Sequence, residues 1–192
     1  MSVIRPKFHH VTIKTRRLDE MVTWYGVVVG ADIQFMDENN AWTTNDEANH
    51  RVAFLSSPGL SDDPEKTHHT GMHHSAFEYG SFADLVASYE RMKAQGIEPA
   101  FCLEHGMTIS FYYRDPDGNF VELQSDNFGD WEKSSAWMRT HPDFKANPIG
   151  VFFDPAKVSA AHRAGRDFPS LQAAIRGGEF LPATTPDIGL PA

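Results

Sequence analysis

The sequence predicts an α+β fold made of two tandem βαβββ modules followed by a C-terminal helical extension. The main observation is a repeated pattern, because each half opens with an extended run that contains a His-His doublet, at positions 9–10 and 73–74. A polar linker separates the halves, and the pattern stops after the second half. Internal similarity of this kind takes precedence over assignments made element by element. We expect the first module at about residues 5–57, the second at about 72–127, the paired modules within 1–127, and the extension at 128–192.

An amphipathic helix follows each doublet, at residues 18–29 and 82–95, with apolar side chains at helical spacing. Gly30 and Gly96 stand directly after these helices, where a C-terminal cap prefers glycine. Three short strands then follow in each half. They are predicted at residues 32–37, 41–44 and 51–56 in the first half, and at 97–103, 108–113 and 120–124 in the second.

The remaining segments are predicted from composition and local pattern. The linker 57–71 is rich in Pro, Gly, Ser and charge, which is typical of a solvated loop. In the extension, residues 130–140 are predicted as a helix, 147–155 as an extended run with a turn, and 155–176 as one or two helices. The Pro-rich tail 181–192 is predicted to be irregular. We expect the extension to pack on the core or on a neighbouring subunit.

Composition limits the classes of function. Among 192 residues, Lys and Arg total 17 against 26 Asp and Glu, so the formal net charge is -9. An acidic chain lacks the clustered cations that bind phosphate, so we expect no nucleic-acid partner. No apolar run reaches the length of a membrane span, and the start of the sequence lacks the apolar region of a secretory signal, so no membrane partner is expected. Cys102 is the only cysteine, which favours a reducing cytoplasm.

The repeat also predicts where a functional site lies. Neighbouring side chains of a strand point to opposite faces, so alternation decides which histidine of each doublet faces away from the helix. Val11 and Ile13 are expected beneath the first helix, which leaves His10 on the other face. The same alternation places His74 and Glu122 on the corresponding face of the second half.

His10, His74 and Glu122 are therefore the candidate metal ligands. Either histidine alone would be a hydrogen-bonded strand residue, but two at equivalent points of a repeat, with a carboxylate, favour a metal site. An inward glutamate is costly to bury unless a divalent cation compensates its charge. Two histidines and one carboxylate are typical of non-haem Fe(II) sites with open positions, which points to oxygen chemistry on a chelating substrate. The strand at residues 51–56 carries no carboxylate, so one metal per chain is expected.

The most specific motif lies between residues 105 and 122. It contains His105, then Phe111-Tyr112, the turn Asp115-Pro116-Asp117-Gly118, and Glu122. On this motif, roughly residues 8–125 resemble the vicinal-oxygen-chelate superfamily. Within it, they resemble the one-domain type I extradiol dioxygenases that act on catechols and 2,3-dihydroxybiphenyl-like diols.

The resemblance implies a fold, a reaction and roles for further residues. The two modules are expected to form an incomplete β-barrel around one metal, Fe(II) or alternatively Mn(II). The segment NDEANHRVAF is similar to the family's segment for the acid–base histidine, which maps that role onto His50. His105 and Tyr112 are expected to hydrogen-bond the substrate oxygens and the developing oxyanion. The implied reaction is extradiol ring cleavage of an aromatic diol with both atoms of dioxygen, in aromatic-compound catabolism, by a homo-oligomer.

Other functions stay open at this point. A glyoxalase-like isomerase or a thiol transferase of the same superfamily would bind a metal, but typically with a fourth protein ligand. A metal-free binding or resistance protein would need no ligand triad. For His50, the alternative is a strand-edge histidine near solvent, because its strand alternates poorly. The sequence leaves undetermined which catechol is cleaved, which of the two metals is bound, the size of the oligomer and the role of the extension.

Overall fold

A computed structural model describes residues 3–191 of the chain. The chain divides into two compact units, each of which is described by itself. The first holds the chain up to Lys66 together with the turn Asp115–Asn119, and the second holds Thr67–Arg114 together with the chain from Phe120 onward. Within the described residues, no helix is long and apolar enough to cross a membrane.

The first unit is a four-stranded sheet covered by one helix. Its elements are β1 Val11–Thr15, α1 Leu18–Val29, β2 Asp32–Met36, β3 Asn40–Thr44 and β4 Val52–Ser56. The strand order is β1-β4-β3-β2, with β1 parallel to β4 and the other pairs antiparallel. α1 buries one apolar stripe, which includes Met21, Tyr25 and Val28, and it ends at the predicted cap Gly30.

The second unit repeats this arrangement. Its first elements are β5 His74–Tyr79, α2 Phe82–Lys93, β6 Phe101–Glu104, β7 Thr108–Arg114 and β8 Phe120–Asp126, and a 3-10 turn at Lys66–His68 lies in the linker. The strand order is β5-β8-β7-β6-β9, in which β5 is parallel to β8. The side chain of Ser81 caps α2 by accepting a hydrogen bond from the backbone N–H of Asp84.

The extension supplies the last strand of the second sheet and four helices. These elements are α3 Trp131–Thr140, α4 Pro142–Ala146, β9 Val151–Phe152, α5 Pro155–Arg163 and α6 Phe168–Arg176. β9 pairs antiparallel with β6, so the extension is hydrogen-bonded into the sheet of its own unit. An aspartate, Asp130, Asp154 or Asp167, caps each of the longer helices. α4 was not predicted, because five residues are too few to establish helical periodicity. The tail is irregular as far as residue 191, and residue 192 lies outside the described part of the chain.

The predicted α+β class and the tandem βαβββ modules are confirmed, and each sheet is open. The strand prediction at residues 97–103 is wrong over its first half, because β6 begins at Phe101. Pro99 has no N–H to donate and restricts the residue before it to extended conformations outside the ladder. Pairing therefore starts at Ala100, whose N–H donates to the carbonyl of Tyr112 at 2.7 Å.

The two faces of the second sheet have different surroundings. On the face toward α2, the side chains of Phe111, Val121 and Leu123 are fully buried, and the rings of Tyr89 and Phe111 lie 5.4 Å apart. The opposite face carries an apolar cluster of Phe101, Leu103, Tyr112 and Phe120, with Phe152 and Ile188 packed against it. The candidate site of this unit lies beside that cluster.

Candidate active site

Strand register brings three of the predicted site residues to one face of the second sheet. β8 pairs with β5 so that Glu122 lies opposite Ala76, and with β7 so that Glu122 lies opposite Tyr112. Residues two apart on a strand share a face, so His74 lies on the same side as Ala76 and Glu122. The turn Asp115–Asn119 joins β7 to β8 and thereby fixes the interval between Tyr112 and Glu122.

Glu122 is a buried carboxylate at the centre of this face. It is 5% exposed, and its Oε2 lies 3.0 Å from Nε2 of His74. Burial raises the pKa of Glu122, but the hydrogen bond from His74 and the interactions around it outweigh burial, so this pKa lies below its usual value. The carboxylate therefore carries a negative charge at neutral pH and requires a cation or hydrogen-bond donors beside it.

His105 and Tyr112 lie next to the carboxylate. Nε2 of His105 is 3.0 Å from the hydroxyl of Tyr112 and 3.9 Å from Oε1 of Glu122, while Nδ1 donates to the carbonyl of Ile149 at 2.6 Å. Burial lowers the pKa of His105, and the charge of Glu122 opposes this only in part. Burial and the adjacent Glu122 raise the pKa of Tyr112 well above its usual value, so its hydroxyl stays protonated.

A polar and an aromatic feature complete this side of the sheet. The hydroxyl of Ser110 is buried, and alternation puts it on the face of Tyr112, where it helps to lower the pKa of Glu122. The ring of Phe101 stacks on Tyr112 with centroids 4.4 Å apart. The ionised Glu122 and its polar neighbours therefore lie directly beside an aromatic wall, an arrangement suited to a planar substrate with a polar edge.

His73, the other member of the second doublet, contacts the C-terminal tail and Phe120. Its Nε2 donates to the carbonyl of Ile188 at 2.7 Å, and its ring stacks on Phe120 with centroids 5.3 Å apart. These contacts anchor the C-terminal tail. They leave His74 as the member of the doublet that contacts Glu122.

In the first unit, three histidines lie together. The possible ligand atoms of His9, His10 and His50 all lie within 4.8 Å of one another, close enough to hold a metal ion. Nδ1 of His9 is 3.0 Å from Nδ1 of His10, and the rings of His10 and His50 have centroids 4.3 Å apart. His9 in this cluster was not predicted, because both members of the doublet precede β1, where strict alternation does not apply.

His50 stands just before β4, and its side chain is half-buried. Its Nδ1 lies 2.7 Å from the amide oxygen of Asn49, which can only accept, so Nδ1 donates and Nε2 is left for proton exchange. Burial and the positive charges that His10 and His9 can carry lower the pKa of His50. The imidazole is therefore mainly neutral at neutral pH, as a general base must be.

The six predicted site residues thus fall into two groups. His74, His105, Tyr112 and Glu122 lie together in the second unit, and His10 and His50 lie together in the first. Four residues in or beside these groups were not predicted from the sequence as site residues: His9, Ser110, Glu104 and Ile149. Ser110 was detectable in principle, because it shares a strand face with Tyr112, whereas the backbone carbonyl of Ile149 carries no sequence signal.

His74 and Glu122 of the second unit are residue types that bind divalent metal ions. Imidazole nitrogen and carboxylate oxygen are ligands of intermediate and hard character, which suit Fe(II) and Mn(II). Glu122 is ionised and buried, and it contacts an imidazole nitrogen at 3.0 Å, so a cation bound beside it would be stabilised by its charge. In the first unit, the three-histidine cluster offers imidazole nitrogens of its own.

The chain belongs to the Glyoxalase/Bleomycin resistance protein/Dioxygenase superfamily, whose family model matches residues 7–123. This confirms the superfamily predicted from the motif around His105 and Glu122. The matched region spans both βαβββ modules, apart from the end of β8.

Two relatives carry more specific names. The chain is 40% identical over 186 residues to Biphenyl-2,3-diol 1,2-dioxygenase 2 of Rhodococcus globerulus, covering 97% of this chain and 95% of that protein. It is 39% identical over 163 residues to Biphenyl-2,3-diol 1,2-dioxygenase 3 of the same organism, covering 84% and 85%. The fold is also similar to the crystal structure of a glyoxylase/bleomycin resistance protein/dioxygenase domain from Frankia sp. EAN1pec, with a TM-score of 0.54, 20% identity, and 66% and 96% of the two chains covered.

Proposed function

We propose that this protein is an extradiol dioxygenase, which cleaves the ring of a catechol-type aromatic diol outside its two hydroxyls and inserts both atoms of dioxygen. The observation that carries the proposal is the 40% identity, over 97% of the chain, to a biphenyl-2,3-diol 1,2-dioxygenase. The buried group of Glu122, His74, His105 and Tyr112 beside an aromatic wall supports it independently. The natural role would be the catabolism of aromatic compounds.

His10, His74 and Glu122 are the proposed ligands of one Fe(II) per chain, and Mn(II) suits the same donors. When bound, the metal supplies Lewis acidity toward the diol hydroxyls and redox chemistry toward dioxygen. Two neutral imidazoles and one carboxylate leave a net positive charge at such a site, which favours a deprotonated diol. The low pKa of Glu122 supports its part, because a ligand carboxylate must be ionised.

His50 is the proposed acid–base residue. Its pKa lies below 6.5, so at neutral pH it can accept a proton from a diol hydroxyl. The hydrogen bond from Nδ1 to Asn49 holds the ring in the tautomer with Nε2 unprotonated. Once protonated, the same nitrogen returns a proton to a departing oxygen.

His105 and Tyr112 are proposed to position the diol and to stabilise charge that develops on its oxygens. The hydroxyl of Tyr112 remains protonated because of its raised pKa, so it can donate a hydrogen bond throughout the reaction. The aromatic wall of Phe101 and Phe120 excludes water from one side of this group. Exclusion of water strengthens each of these electrostatic interactions.

The test is oxygen consumption by the full-length protein after anaerobic loading with Fe(II). We expect uptake of one dioxygen per diol and a yellow ring-opened product with 2,3-dihydroxybiphenyl or with a monocyclic catechol. Metal binding without oxygen uptake, together with isomerisation of a thiol adduct, would instead support a glyoxalase-like enzyme. Diol binding without metal or turnover would support a binding protein.

We also propose a cytoplasmic homo-oligomer. Cys102 is buried as a free thiol, which supports a reducing compartment. Ile33 and Phe35 on β2 are each 54% exposed, and apolar side chains grouped on a strand at the edge of a sheet are candidates for a subunit contact. Light scattering on the purified protein measures the mass directly.

A further inference from the structure

The C-terminal extension contacts the residues on both sides of His105. Upstream, Glu104 lies on β6, and downstream Gly106 begins the turn to β7. The extension approaches this segment from three places: the loop 147–150, Trp137 on α3, and α6. Each contact has a different chemical character, and together they determine how the imidazole of His105 is presented.

The first contact sets the tautomer of His105. Nδ1 lies 2.6 Å from the carbonyl oxygen of Ile149. A carbonyl oxygen only accepts, so Nδ1 must carry a proton. In the neutral imidazole, Nε2 is then unprotonated, and it accepts a hydrogen bond from the hydroxyl of Tyr112 at 3.0 Å. The atom that faces Glu122 is therefore an acceptor in the neutral ring and a donor only after protonation.

The loop that carries the Ile149 carbonyl is itself fixed. The side chain of Asn147 donates to the carbonyl of Gly150 at 2.7 Å and accepts from the N–H of Gly150 at 3.0 Å. Gly150 has φ +100°, and a Cβ at this position would overlap the carbonyl of Glu104. Glycine is thus required for the loop to approach β6 closely enough for its carbonyl to reach His105.

The second and third contacts hold the neighbours of His105. A Cβ on Gly106 would overlap the indole of Trp137, so the ring lies directly on this backbone. The side chain of Glu104 is fully buried, and it accepts from the N–H of Gly106 at 2.9 Å and from Gln172 on α6 at 3.0 Å. Arg176 on α6 compensates the charge of Glu104 at 3.4 Å.

We infer that the extension is a positioning element of the active site, which fixes His105 as the Nδ1–H tautomer through the carbonyl of Ile149 and presents unprotonated Nε2 to the substrate group. This inference rests on the proposed function only in assuming that a substrate binds beside Nε2. The tautomer itself is a property of the folded chain. Ile149, Asn147 and Gly150 act through His105 and are positioning residues.

The test reads the tautomer directly. Nitrogen NMR of ¹⁵N-histidine-labelled full-length protein, metal-free and loaded with diamagnetic Zn²⁺, distinguishes protonated from unprotonated ring nitrogens. A His105→Gln spectrum identifies the signal among ten histidines. We expect Nδ1 to be protonated in the wild type. Asn147→Ala, which releases the loop without a clash, and Gly150→Ala, which displaces it, should both weaken that preference and lower kcat about 10–100-fold with a smaller change in KM.

Gly165→Ala is the matched control, because Gly165 has φ +92° with open space around its missing Cβ. It carries similar backbone strain away from His105, and its tautomer and kcat should match the wild type. Asn147→Asp keeps the acceptor for Gly150 and should recover part of the loss.

A wild-type His105 protonated at Nε2 instead would overturn the inference. So would variants at 147 and 150 that keep the wild-type tautomer, or that lose it with kcat unchanged. If Gly150→Ala does not fold, Asn147→Ala and the wild-type spectrum still show whether the extension fixes the tautomer of His105. Absence of oxygen uptake by the wild type with every diol would defeat the proposed function and leave the tautomer result standing.

Discussion

The two strands that open the modules, β1 and β5, both start beside a histidine doublet, but the strands they pair with carry different residues. A histidine doublet directly precedes β1, and the second doublet overlaps the first residue of β5. Each strand pairs in parallel with the last strand of its own module. The registers match: Thr12 faces Ala53 in the first unit, and Ala76 faces Glu122 in the second. Ala53 therefore occupies the position that corresponds to Glu122. The duplicated framework keeps a histidine in both halves and a carboxylate in only one.

This single difference separates two roles. In the second unit, the buried charge of Glu122 favours a cation beside it, so the neighbouring histidine is suited to ligating a metal. In the first unit, three imidazoles lie together without a carboxylate on the paired strand, and the pKa of His50 is lowered. A neutral, partly accessible imidazole is suited to proton transfer. On the proposed function, divergence at one strand position gives the two modules different roles, metal binding in the second and acid–base chemistry in the first.

The largest expected effect comes from removing the carboxylate that makes the halves differ. Glu122→Gln keeps the shape but loses the charge, and we expect bound metal to fall sharply and turnover to drop by more than about 100-fold. Metal analysis of the purified variant and steady-state oxygen uptake measure both. Glu38→Gln, at an exposed turn of the first unit, is the control and should behave as the wild type. Full metal occupancy in the Glu122 variant would remove this residue from the ligand set.

The second test addresses the histidine of the first unit. His50→Gln should retain metal and diol binding while kcat falls on the order of 10² to 10⁴, because only proton transfer is lost. Anaerobic diol titration measures binding, and oxygen uptake measures turnover. His69→Gln changes an exposed linker histidine and serves for comparison. If turnover by the His50 variant is normal, the acid–base role belongs to another residue.

A smaller loss of turnover is expected when a tyrosine hydroxyl is removed from one face of β7 rather than from the other. Tyr112→Phe removes a hydroxyl that contacts His105, and kcat should fall on the order of 10². Tyr113→Phe is the matched control, because that hydroxyl is buried on the opposite face without a partner among the described residues. Its removal should leave kcat unchanged and stability equal or higher. Equal losses in the two variants would argue for packing rather than chemistry at Tyr112.

The smallest effect is a dependence of stability on pH. The pKa of His105 is lowered from 6.5 in the folded protein, so the unfolded chain binds a proton more readily. The stabilisation is present above 6.5 and is lost as pH falls through the folded pKa. Urea unfolding of the metal-free protein between about pH 8 and about pH 5 should show this decline, and His105→Gln should reduce it. A decline of the same slope in the variant would assign it to other groups.

Periodicity explains why much of this architecture was predictable. Spacing along single elements predicted α1 over its full length, α2 with an end two residues past Lys93, and a shared face for His74 and Glu122. The motif from His105 to Glu122 identified the family because the turn between β7 and β8 fixes the register of Tyr112 against Glu122. These constraints act within one element or one turn, so a short stretch of sequence is enough to predict them.

Contacts between distant segments were not predictable in this way. Ile149 is 44 positions from His105 and contributes a backbone carbonyl, which any residue provides. Glu104 resembles an ordinary solvated strand-end glutamate until α6 covers it with Gln172 and Arg176. The start of β6 was misplaced because the apolar pattern around Pro99 outweighed the missing N–H. Tertiary packing decided each of these features.

Extradiol cleavage is tested most directly by reacting the Fe(II)-loaded protein with 2,3-dihydroxybiphenyl or catechol under ¹⁸O₂ and analysing the product by mass spectrometry. We expect a ring-opened product that contains both atoms of one labelled dioxygen before exchange with water. A product with one labelled atom, or an unopened ring with no label, would contradict extradiol cleavage by this protein.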